Sequence, residues 1–146
     1  MSPQVYRYGR KTLGRGLFVG VAWCLPRGVR REDYASRGYF DIWMPLLAPS
    51  RGLVAAYRGE QISFARFARR YRVEMRSPEA RHAIRLLAAV ACRLPVHLGC
   101  SCADAARCHR TVLQELMADA MTALPRRSGK AGEFFSPACS MPEIED

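Results

Sequence analysis

The sequence predicts an α/β fold: a single compact, three-layer-like domain with a small, partly parallel central sheet flanked by helices. Two short runs read as buried strands: 17–24 is rich in Val, Phe and Trp, and in 95–100 Val96 and Leu98 alternate with His97 and Gly99. Three longer stretches repeat their apolar residues at helical spacing. The second strand is reached only through helices, the connection that a parallel pair requires. At 146 residues and 49% apolar content, the chain suits one domain with a real core.

The elements follow in order. Residues 1–15 are polar and basic, with Val5, Tyr6 and Tyr8 marking a short strand. The run 17–24 is the first buried strand, and Pro26-Arg27-Gly28 turns the chain after it. A basic segment with Arg30, Arg31, Tyr34 and Arg37 reads as loop, as do Trp43 and Leu46–Ser50, apolar but aperiodic. Ser50 is a candidate cap for a short helix through Tyr57. From 61 to 75, Phe64, Phe67, Tyr71 and Met75 share one helical face, with arginines mostly away from it. Ser77-Pro78-Glu79 opens the next helix, with Ile84, Leu87, Ala88 and Ala91 as its buried stripe. A strand over 95–100 follows, then a helix over 105–124 capped by Asp104 and ended by Pro125. Residues 1–124 form the domain. Residues 125–146 read as a loosely held tail in which Phe134 and Phe135 are candidate docking residues.

The formal net charge is +10, and lysine occurs only at 11 and 130, so 21 of the 23 basic residues are arginine. Such an excess suits phosphate-bearing partners, a small molecule or a nucleic acid. The six cysteines do not form a secretory disulfide pattern, because Cys100 and Cys102 stand too close together. The apolar run after Arg15 is too short to span a membrane and lacks a small-x-small cleavage site. A reduced, cytoplasmic protein without a membrane partner is expected.

Chemistry concentrates in Val96–Arg110, which holds three cysteines and two of the three histidines. A strand end meeting a helix start offers free N–H groups and a partial positive charge, which bind anions and lower thiol pKa values. With Asp104 as cap, Cys108 falls just past the first helical turn, flanked by Arg107 and Arg110. Cys108 and His109 are the candidate catalytic pair, a thiol and a general base. Arg27, Arg107 and Arg110 are candidate anion grips, and Trp43 is a candidate stacking surface for a ring. Cys24, Cys92 and Cys139 read as core or tail residues. A phosphatase loop needs arginine six positions after its cysteine. Ala106 stands there for Cys100, and Cys108 for Cys102, so that class is excluded.

The ordered set Pro26-Arg27-Gly28-Val29, Glu32-Asp33, Trp43, Leu47-Ala48-Pro49-Ser50, Phe67-x-x-x-Tyr71 and Cys108-His109-Arg110 resembles the bacterial domain-of-unknown-function 488 family. The resemblance spans about residues 17–124 and implies a compact α/β domain in a bacterial cytoplasm, with no settled biochemical role. Where that family often has Cys, a small residue and Glu, this chain has Cys100-Ser101-Cys102. A thiol thus replaces a carboxylate.

Three readings of function follow. The first is an anionic, nucleotide-like ligand held at the Cys-His-Arg stretch, with thiol chemistry. The second is a metal or redox module in which Cys100, Cys102 and Cys108 hold zinc or an iron–sulfur cluster. The third is a basic nucleic-acid-binding module without catalysis.

Overall fold

The structure, a computed structural model, describes residues 2–9 and 14–125. The tail, with Phe134, Phe135 and Cys139, lies outside the described residues.

Among the described residues, four strands form one sheet in the order β1-β4-β2-β3: β1 Gln4–Arg7, β2 Leu17–Gly20, β3 Ile42–Trp43 and β4 Val96–Cys100. All three pairings are parallel, with Val5 and Val19 both opposite Leu98. The expected partly parallel sheet is therefore wholly parallel. Trp43 belongs to a two-residue edge strand rather than to a loop, and β2 is shorter than the apolar run containing it.

Four α-helices among the described residues complete this frame: α1 Arg51–Arg58, α2 Phe64–Glu74, α3 Pro78–Ala91 and α4 His109–Ala123. Ser50, Ser63 and Ser77 cap the first three, each accepting the backbone N–H of the residue three positions on. Alternation along the strands divides the sheet into two faces. Val19, Val96 and Leu98 face the helices and join Leu53, Phe67, Tyr71, Ile84, Leu87, Leu113 and Met117 in the main core. On the other face lie Tyr6, Phe18 and His97, and an irregular layer containing Tyr39 and Phe40 meets Tyr6 and Gly20. The Phe18 and His97 rings stack at 4.2 Å, and the Tyr6 hydroxyl donates to the Tyr39 carbonyl. Tyr34, after a short 3-10 turn over Arg31–Asp33, packs on Tyr39 and Phe40 in this layer.

This topology needs two glycines. A Cβ on Gly99 would lie 2.7 Å from Tyr6 Cε1, and one on Gly20 would lie 2.6 Å from Phe40 Cδ1. Only a bare backbone lets the aromatic layer close onto the sheet.

The largest departure from expectation is at the start of α4. Asp104 accepts the Ala106 N–H at 3.0 Å, but the turn it caps is a short 3-10 helix over Ala105–Arg107. Cys108 then turns extended, at φ −133° and ψ 147°, and α4 begins at His109. Cys108 is the residue at the mouth of α4, not one past its first turn.

Candidate functional site

Strands of a parallel sheet end on one edge, and connections leaving that edge enclose a crevice. Here β4 ends at Cys100, and the chain passes through Cys102 and the 3-10 turn before reaching Cys108. The three Sγ atoms lie within 4.8 Å of one another, with Cys100 and Cys102 3.6 Å apart. Cys100 and Cys108 are buried and Cys102 is partly exposed. Tyr8 and Ala22 pack beside the cluster.

His109 fixes one side of it. A carbonyl can only accept, so the 2.7 Å contact between His109 Nε2 and the Val21 carbonyl places the ring proton on Nε2. Nδ1 is then an acceptor, 3.6 Å from the Cys108 sulfur. Burial pushes the imidazole pKa down, and the Val21 carbonyl offsets this only in part. His109 is a neutral, oriented ring.

Arg110 fixes the other side, and not as an anion grip. It is 1% exposed. One terminal nitrogen donates to the Tyr6 carbonyl and to Cys100 O at 3.4 Å; the other donates to Cys102 O at 2.8 Å. Its Nε is buried without a partner, and among the described residues the only ion pair is Arg72–Glu115. A buried guanidinium without a carboxylate is a costly arrangement unless negative charge lies near. The thiols supply the nearest candidates. Hydrogen bonds from Cys100 and then Cys108 hold the Cys102 thiol well below its ordinary range. Hydrogen bonding with Cys100 and then Cys102, followed by burial, pushes the Cys108 thiol up. Of the three thiols, Cys102 alone is shifted toward the thiolate, and the Arg110 charge favours that form.

Above the thiols is a cavity of about 570 Å³. Trp23, Tyr57 and Phe67 supply aromatic wall, and Arg51, Arg58 and Arg107 supply positive charge. The Arg51 guanidinium lies 5.6 Å from the Trp23 ring centroid, and the Trp23 indole donates to the Pro49 carbonyl. Cys100, Cys102, Cys108 and His109 complete the sulfur side.

Of the residues singled out by sequence, Cys100, Cys102, Cys108, His109 and Arg107 come together here. Arg27 is exposed and outside the lining, because the wall after β2 is built from Ala22, Trp23 and Cys24 before the turn is reached. Trp43 is also outside, its indole N–H donating to the Ala22 carbonyl at 2.7 Å. Cys24 and Cys92 are exposed rather than core. Sequence reasoning missed Trp23, Arg51, Tyr57 and Arg58. The available signal was Ser50: a helix starting after a parallel strand brings its first turns to the crevice.

One comparison bears on this arrangement. Residues 4–121 match the family model DUF488-N3a, described as the active DUF488-N3 subclade. The chain belongs to the DUF488 family. The match contains all four strands, the cysteine cluster and most of α4. No curated protein and no solved structure matches the chain. No helix among the described residues is long and apolar enough to cross a membrane.

Proposed function

We propose that this DUF488 chain binds a phosphate-bearing, nucleotide-like small molecule in the cavity above the cysteine cluster, with the sulfurs as the reactive edge of the site. One observation carries the reading: three guanidinium groups, the rings of Trp23, Tyr57 and Phe67, and four thiols, three of them clustered, line the same cavity at the carboxyl end of a parallel sheet. Guanidinium groups of Arg58 and Arg107 suit phosphate oxygens, which they hold in a two-pronged fork. Trp23, Tyr57 and Phe67 offer flat apolar surface to a base or ring. The volume lies in the range of small-molecule sites. Of the three clustered sulfurs, Cys102 is the one a bound molecule would meet, because Cys100 and Cys108 are buried.

Melting temperature with and without a nucleoside monophosphate tests the reading, since a ligand of the native state stabilises it by mass action. The wild type and Arg27→Ala should show the same upward shift, and the Arg58→Ala/Arg107→Ala double variant should show none. A double variant that keeps the shift, or a wild type that shows none with any nucleotide or inorganic phosphate, contradicts the proposal.

A further inference from the structure

We propose that Cys100, Cys102 and Cys108 together form a thiophilic metal site, three thiolates on one divalent ion of the zinc class, with the fourth position open to the cavity. This deepens the ligand reading by naming what faces the bound molecule, but its argument and its test stand apart from the identity of that molecule.

Geometry is the first ground. Zinc–sulfur bonds of about 2.3 Å in a tetrahedral set place sulfurs about 3.8 Å apart. The Cys100–Cys102 separation of 3.6 Å and the 4.8 Å limit on all three pairs bracket that spacing. The donors come from three backbone settings: a strand end, a loop and the mouth of α4. Arg110 ties two of these together through the Cys100 and Cys102 carbonyls, and the Tyr8 N–H donates to Cys100 O at 3.0 Å. Little ordering is left for an ion to impose.

Charge is the second ground. Arg110 is a buried cation with no carboxylate partner among the described residues. Three thiolates on a divalent ion carry one negative charge in total, which one guanidinium offsets. The positive end of α4 points the same way.

The surroundings are the third ground. Three protein ligands with an accessible fourth position are the pattern of reactive rather than structural zinc sites. Cys102, partly exposed, sets that opening toward the cavity. His109, held by the Val21 carbonyl at 2.7 Å, places its ring beside Cys108 as a fixed wall behind the ligand sulfurs.

Cobalt and zinc titrations of reduced, metal-stripped full-length protein test this. Cobalt should give sulfur-to-metal charge-transfer absorption that saturates at one ion per chain and is displaced by zinc. Cys24→Ser/Cys92→Ser should keep the band, and Cys102→Ser should lose it. Because a variant can fail through misfolding, alkylation of the wild type provides a second reading. Zinc should protect Cys102 while Cys24 and Cys92 still label. A folded wild type with no charge-transfer band, a band that survives Cys102→Ser, or Cys102 labelling unchanged by zinc overturns the proposal. Nucleotide-induced stabilisation measured on the metal-stripped protein reports separately on the ligand reading.

Discussion

His109 Nε2 stands 2.7 Å from the carbonyl oxygen of Val21, joining the start of α4 to the chain just past β2. The bond holds only while the ring is oriented and buried, and burial lowers the imidazole pKa below its ordinary 6.5. The unfolded chain therefore takes up this proton at higher pH than the folded one. The stability contribution is complete above about pH 6.5 and is lost as pH falls through the folded-state value. Melting temperature should fall with acidification below that point, and more steeply in the wild type than in His109→Gln, which keeps a donor but does not titrate. Parallel profiles for the two proteins would remove His109 as the cause.

Arg110 is a structural residue, and its loss should register in stability before ligand affinity. Three carbonyls, of Tyr6, Cys100 and Cys102, lose a donor in Arg110→Ala. Cys100 O keeps the Tyr8 N–H, so at most two acceptors are left unpaired at on the order of 1–3 kcal/mol each, and a loss of about 2 kcal/mol or more is expected in urea unfolding. A variant as stable as the wild type would mean that the guanidinium is not holding β1 to the β4 loop.

Thiol reactivity should invert the order that the sequence suggests. Arg107 and Arg110 beside Cys108 imply an activated thiol, yet Cys108 is 2% exposed and its pKa is pushed up. In native, metal-free protein, iodoacetamide should modify Cys24, Cys92 and Cys102 first, and Cys108 only after unfolding. Mass-spectrometric mapping that finds Cys108 among the first labelled sites would contradict this packing.

Much of the frame was legible because its signals are local. Ser50 and Ser77 announce their helices, and Val96, Leu98 and Cys100 alternate as a buried strand should. The proximity of Cys100, Cys102 and Cys108 also follows from short spacing. What escaped was non-local. The carbonyl partners of Arg110 include one from Tyr6, 104 positions away, and no pattern around Cys108-His109-Arg110 signals that contact. Strand β3 has only Ile42 and Trp43, both exposed, so it has neither length nor alternation. The cavity wall was missed because Trp23 and α1 meet the cysteines only through the sheet's parallel topology.

Gly99 tests that topology directly. The ring that an added methyl would strike belongs to Tyr6, held by the Tyr39 carbonyl and by an edge contact with Phe18 at 5.4 Å between centroids. Gly99→Ala should cost about 1–3 kcal/mol as overpacking. Gly14→Ala, with nothing within 4 Å, should stay within about 0.5 kcal/mol of the wild type. Equal stability of the two variants would argue against the close approach of β1 and β4.

The most direct measurement uses the cavity's own fluorophore. The chain has two tryptophans, so Trp43→Phe leaves Trp23 as the single one, on the cavity wall beside Arg51. Titrating this protein with a nucleoside monophosphate should change Trp23 emission saturably, and the change should vanish when Arg58→Ala and Arg107→Ala are added. Emission indifferent to nucleotide, or a response identical with and without those two arginines, would contradict the assignment of this cavity to a phosphate-bearing ligand.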